Sequence, residues 1–180
     1  FKTKEISRSH KIIVSDSGLI TIIGGKWTTY RKIAEDVVNK AIKVHHLPNA
    51  NCQTENLSIH GNKFTNDFDR ENHLYVYGTD ASGILKLQEN EPHLKEKLHP
   101  NYPYTLAEVV WAIRHEMART VEDILARRIR LLFLDAHASI ACCEKVAEIL
   151  ASELNQDENW MQNQITAFKK VAQGYLIEEY

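Results

Sequence analysis

Between Leu19 and Ile23 the chain carries a nearly unbroken apolar run that stops at Gly24-Gly25, and Tyr30, Ile33, Ala34, Val37, Val38, Ala41 and Ile42 then recur at helical spacing. A strand, a paired-glycine turn and an amphipathic helix in that order leave few foldable arrangements. The strand is apolar at successive positions, so both of its faces need cover. Upstream, Ile12 to Val14 form a second β-branched stretch, and Ser15-Asp16-Ser17-Gly18 between the two is a short polar run ending in glycine, which predicts a hairpin. Thr28 or Thr29 is placed to cap the helix, and His45, His46 and Pro48 to close it.

Past Pro48 the period is lost. Residues 48–63 are polar and read as a linker, which divides the chain into 1–47, the linker, and a helical part from 64 to 180. Phe64, Phe68, Leu74 and Tyr75 open the helical patterns, one ending at Tyr77-Gly78, and a shorter helix is predicted from Thr79 or Asp80 to Leu87. Pro92, Pro100 and Pro103 predict loop, with one short helix around Leu94 to Leu98. Thr105-Leu106-Ala107-Glu108 has the form of a capping box, with Leu106, Val109, Val110, Ile113 and Met117 as its buried stripe, and Thr120-Val121-Glu122-Asp123 repeats the signal. Asp135 and Asp157 open the last two helices. The expected fold class is mainly α: an irregular helical bundle preceded by a β-hairpin and helix.

With 22 basic and 24 acidic residues the net charge is −2, which offers no general attraction to a polyanion and makes nucleic acid a poor partner. Three cysteines, two of them the neighbours Cys142 and Cys143, suggest neither a disulfide framework nor a zinc site and fit a reducing compartment. No apolar run reaches the roughly 18 residues of a membrane span. The expected location is therefore cytoplasmic, or peripheral at the inner face of the cell membrane. The chain starts at Phe1 and reads as a fragment of something longer.

Chemistry concentrates at Gly24-Gly25-Lys26-Trp27-Thr28-Thr29-Tyr30-Arg31. Two residues without a Cβ let backbone approach a ligand closely, the following helix aims unpaired amides and its positive end at the same place, and Lys26 adds a full charge. Spacing alone leaves a plain tight turn with an exposed lysine equally open.

The string GGKWTTYRKIAEDVV, led by SGLITIIGG, resembles the segment that closes the flavin-binding region of FAD-dependent glycerol-3-phosphate dehydrogenases. Downstream, HEMARTVEDILARRIRLLFLDAHAS resembles the same family's C-terminal helical domain. The likeness is weakest in the linker and around Glu89 to Pro103. It implies that Gly24, Gly25, Lys26, Trp27 and Thr28 lie against the FAD ring, where amides face the pyrimidine carbonyl and stabilise the charge a reduced flavin gathers. It also implies that Lys26 and Arg8 contact substrate, the arginine because a guanidinium fork suits a phosphate. The implied reaction is hydride transfer from sn-glycerol 3-phosphate to flavin, giving dihydroxyacetone phosphate, with quinone, or oxygen in oxidase relatives, as acceptor. No residue here is an evident general base, and no G-x-G-x-x-G is present to hold a pyrophosphate, so both are expected in an N-terminal FAD domain of the same chain. The fragment alone is expected neither to retain FAD nor to turn over. Homodimer formation and peripheral membrane contact are compatible with the family.

Other signals read as structure. Arg119, Arg127, Arg128 and Arg130 form a basic cluster, but Glu116, Glu122 and Asp123 lie within one or two helical turns and predict local pairing. The nine histidines are scattered without metal-ligand spacing, and Trp111 and Trp160 fall on or beside apolar stripes. His10 reads as a surface residue. Two rival readings remain: a helical interaction module without chemistry, and an anion- or nucleic-acid-binding domain using the arginines.

Overall fold

A computed structural model describes residues 9–62 and 71–176. The chain divides into two units, Phe1–Ile59 and His60–Tyr180.

In the first unit, β1 (His10–Val14) pairs antiparallel with β2 (Ile20–Gly24), in a register that sets Lys11 against Ile23 and Val14 against Ile20. The turn closes through Ser15 N–H donating to Leu19 C=O at 3.0 Å and Gly18 N–H to Ser15 C=O at 2.9 Å, with Gly18 at φ 84°. Helix α1 (Tyr30–His45) follows. It ends where His46 turns left-handed (φ 51°) and donates its amide to Ile42 C=O. Two histidines tie helix to hairpin: His10 Nε2 lies 3.0 Å from Asp36 Oδ2, and His45 Nε2 lies 3.2 Å from Gly18 C=O. His10, expected to be a surface residue, is thus half-buried and paired.

The threonine caps do not form as expected. Thr29 occupies the cap position of α1, but its hydroxyl donates backward to Lys26 C=O at 3.0 Å instead of accepting a helix amide. No described residue between 9 and 59 is buried, and Ile23 is 56% exposed. Two strands and one helix cannot enclose an apolar strand on both faces. Among the described residues of this unit, none supplies the cover that β2 calls for.

The second unit holds the core. Helices α2 (Ala81–Asn90), α3 (Leu106–His115), α4 (Leu131–Leu134), α5 (Ala136–Leu154) and α6 (Glu158–Gln173) assemble with shorter 3-10 and π segments into an irregular bundle. Asp135 and Asp157 cap α5 and α6, accepting from Ala138 N–H at 2.9 Å and Trp160 N–H at 2.8 Å. An abrupt left-handed turn at Asn155 lets α6 fold back on α5 through Ile165, Phe168 and Ala172. Every residue of α3 from Leu106 to Ile113 is buried, so over that stretch it is a central helix with no solvent face. Met117 leaves the expected stripe: α3 stops at His115, the backbone turns left-handed at Met117 (φ 58°), and the side chain is 78% exposed.

Between these helices, His73–Asp80 is a 3-10 run kinked at Gly78, and Pro92–Lys95 is another, a little earlier than expected. At Gly78 an added Cβ would stand 2.0 Å from Gly61 C=O, so only glycine fits. Thr120 and Asp123 do cap reciprocally, each amide donating to the other side chain at 3.0 Å, but they open a π-helical stretch, Asp123–Arg128. Phe64 and Phe68 lie outside the described residues.

Candidate functional site

The paired glycines do what their lack of a side chain allows. Gly24 (φ 77°) and Gly25 (φ 98°) both sit in the left-handed region, and a Cβ on Gly25 would stand 2.6 Å from Ile33 Cδ1, so the turn packs directly onto α1. Lys26 is extended (φ −121°, ψ 146°), and Trp27–Thr29 make one 3-10 turn before α1 begins. Thr29 N–H donates to Lys26 C=O at 3.0 Å. The amides of Gly25, Lys26, Trp27 and Thr28 donate to no described residue.

Gly24, Gly25, Lys26 and Trp27 line a groove of about 510 Å³, together with Ile22 of β2 and Tyr30, Ile33, Ala34, Val37 and Val38 of α1. Trp27 is 87% exposed and stacks on Tyr30, ring centroids 5.6 Å apart. Lys26 pairs with no carboxylate among the described residues. Gly24, Gly25, Lys26 and Trp27 are thus gathered at one groove; Thr28 sits in the 3-10 turn beside it, and Arg8 lies outside the described residues. Tyr30, Ile33 and Val37 were read from sequence only as core positions. Their spacing from Trp27 along one helical face is the signal that could have placed them at the groove.

The back of α1 is fixed by charge. Arg31 donates to Glu35 at 2.8 Å and also reaches Thr54 Oγ1 (3.4 Å) and Cys52 Sγ (3.7 Å), which anchors the segment after the helix. The Thr54 contacts draw the Cys52 thiol below its ordinary value.

In the helical unit the arginines pair locally. Arg127 meets Glu122 at 2.6 Å and Asp123 at 3.1 Å, Arg128 meets Glu116 at 3.3 Å, and Arg119 donates to Ile113 and Ala118 carbonyls. Burial pushes the Glu116 carboxyl up, and burial pushes the Cys142 thiol up to about 11. Sequence reasoning placed Glu108 only in a cap. It is 1% exposed and accepts from Thr105 N–H (2.7 Å), the Tyr77 hydroxyl (3.2 Å) and His73 Nε2 (3.0 Å). No group of three potential metal ligands gathers among the described residues, and no described helix is long and apolar enough to cross a membrane.

The chain thus carries a glycine-turned groove in its first unit and a mainly α-helical second unit. The chain belongs to the family of the C-terminal domain of alpha-glycerophosphate oxidase, which it matches over residues 18–161. It is 38% identical over 194 residues to the mitochondrial glycerol-3-phosphate dehydrogenase of Rattus norvegicus, covering 96% of this chain and 26% of that protein. The Homo sapiens protein of the same name is 36% identical, with 93% and 25% covered. The Arabidopsis thaliana mitochondrial glycerol-3-phosphate dehydrogenase SDP6 is 33% identical, with 96% and 32% covered. The chain spans about a quarter to a third of the length of these relatives.

Their names correct one expectation. The chain was placed in the cytoplasm, or at the inner face of the cell membrane, yet its relatives in rat, human and Arabidopsis are mitochondrial enzymes. Unpaired cysteines and a balanced charge do not tell one compartment from another.

Proposed function

We propose that this chain is the C-terminal portion of a mitochondrial, FAD-dependent glycerol-3-phosphate dehydrogenase that oxidises sn-glycerol 3-phosphate to dihydroxyacetone phosphate and passes the electrons to quinone. One observation carries the reading: the amides of Gly25, Lys26 and Trp27, free of described protein acceptors, belong to residues lining a groove whose one charged side chain among the described residues is Lys26. That groove suits a flat, electron-rich ring edge. Bound FAD would supply the hydride acceptor. Gly24 and Gly25 would let backbone approach the ring, the amides of Lys26, Trp27 and Thr28 would donate to its electron-rich edge, and the stacked Trp27 and Tyr30 rings would offer it an apolar flank. Lys26 donates to an anionic substrate group, joined in this proposal by Arg8.

The division into residues 1–47, a linker to 63 and a helical part follows from this reading, the first belonging to the FAD and substrate domain. General base and pyrophosphate site belong to the upstream polypeptide, and the 180-residue chain by itself is inactive. A second reading keeps the site and exchanges the acceptor for oxygen; it is favoured by the family's description as an oxidase domain.

The longer polypeptide, produced with its upstream region, should be yellow and should lose its flavin absorbance when sn-glycerol 3-phosphate is added without air. Quinone reduction without peroxide selects the dehydrogenase, and peroxide selects the oxidase. A colourless product, or a flavin indifferent to polyol phosphates, would overturn both.

A further inference from the structure

A second cavity is lined wholly by residues of the helical unit. It encloses about 600 Å³, within the roughly 300–1,000 Å³ of small-molecule sites. Its mouth is apolar and open: Val76, Leu134, Phe133 and Tyr75 are 67, 63, 53 and 50% exposed. Large apolar side chains gathered at one opening, and not scattered, mark a place where something docks.

The inner wall is polar but already satisfied. Glu108 lines it, and its oxygens are taken by His73, Tyr77 and the Thr105 amide. A carboxylate held there repels an anionic head and offers no free donor. Positive charge is instead at the rim. Arg128 is engaged by Glu116, donating to its C=O at 2.6 Å and lying 3.3 Å from its carboxylate. Arg130 is exposed and pairs with no carboxylate among the described residues; its guanidinium carbon stands 6.0 Å from the centre of the Phe133 ring. That position is imposed by the backbone. Arg130 is left-handed (φ 64°, ψ 19°), directly after the π-helical stretch Asp123–Arg128 and Ile129, and Phe133 N–H closes the next turn onto Arg130 C=O at 3.2 Å. A long side chain in that region costs conformational energy, and two backbone irregularities side by side are found where a side chain has to be aimed.

We infer that this cavity binds a small amphiphilic monoanion, with its flat or acyl body against Tyr75, Phe133 and Leu134 and its carboxylate on Arg130. Arg130 as the one available cation among the described lining residues selects a single negative charge, whereas an anionic membrane surface is held by several. The acidic inner wall keeps the carboxylate at the rim, on Arg130. This site is independent of the flavin reading and stands or falls without it.

Titration calorimetry of the 180-residue chain with naphthalene-2-carboxylate, and with its uncharged methyl ester, tests the assignment. The acid should bind about tenfold more tightly than the ester, the difference expected of one charge-assisted contact. Arg130→Asn removes the guanidinium while keeping a residue that tolerates the left-handed turn. It should bring the acid down to the affinity of the ester and leave the ester unchanged. Arg130→Lys should keep most of the preference, and Arg127→Gln, in the same arginine run but outside the cavity, should change neither. Phe133→Ala should weaken acid and ester together. Equal affinity for acid and ester, an unchanged preference in Arg130→Asn, or no binding of either would overturn the inference.

Discussion

His73 and Glu108, 35 positions apart in the chain, meet with Nε2 3.0 Å from a carboxylate oxygen that is almost wholly out of water. The same carboxylate takes the Thr105 amide and the Tyr77 hydroxyl, so one side chain joins the kinked 3-10 run to the start of the central helix. Buried polar groups are tolerable when they are fully partnered, and this one is.

Glu108→Ala leaves a buried amide and a tyrosine hydroxyl without an acceptor. The loss should be about 3 kcal/mol, since each unsatisfied buried donor costs about 1–3 kcal/mol. Urea denaturation of the 180-residue chain measures it. A loss below about 1 kcal/mol would mean that water replaces the carboxylate and that the cluster is not dry.

Gly83 sits inside α2, where alanine would ordinarily gain about 1 kcal/mol of helix propensity. An added Cβ would stand 2.4 Å from the Trp111 ring, which is 8% exposed and cannot swing away. Overpacking of a well-filled core costs about 1–3 kcal/mol, so the clash should win and Gly83→Ala should lower the thermal midpoint. A raised midpoint would show that the Trp111 ring shifts freely.

Asp135 accepts from the Ala138 amide and then from the Tyr102 hydroxyl, and these bonds hold its carboxyl below the ordinary range. A depressed native value stabilises the fold above the unfolded value of about 3.9 and loses that contribution as pH falls through the native one. Asp135→Ala should therefore unfold at a lower temperature than wild type near neutral pH, with a gap that narrows as the medium is made acid. Thermal midpoints across a pH series check this. A constant gap would assign the effect to packing and not to charge.

In the longer enzyme, Lys26→Met should raise KM for sn-glycerol 3-phosphate by about tenfold, the value of one charge-assisted hydrogen bond, with a smaller change in kcat. Unaltered KM would remove Lys26 from the substrate site.

Gly25→Val should lower the flavin content of purified longer enzyme, because φ 98° is closed to a β-branched residue and the new side chain would collide with Ile33. Bound flavin per polypeptide, read from absorbance after desalting, decides it. Full occupancy would mean that the turn can relax without disturbing the cofactor.

What could be read along the chain was whatever a few neighbouring residues decide. The hairpin turn, the C-terminal end of α1, the Asp135 and Asp157 caps and the Thr120–Asp123 cap all rest on bonds spanning five residues or fewer, and side-chain type announces them. The arginine pairings at Glu122 and Asp123 were legible for the same reason. At the candidate site the glycines and Lys26 were marked by residue type, whereas the groove beside them needs Ile22 of β2 and Val37 of α1 to come together.

The amino-acid order by itself determined the element types and the glycine-bearing turn, because period, capping chemistry and left-handed backbone are local properties. Only the tertiary structure decided that α3 is buried on every side, that the stripe ends before Met117, and that Glu108 is shared by side chains more than thirty positions upstream. It also decided that Arg130, one of four similar arginines, is the one without a described acidic or carbonyl partner. Burial and partner choice depend on which distant segments arrive at the same place, and no local pattern records that.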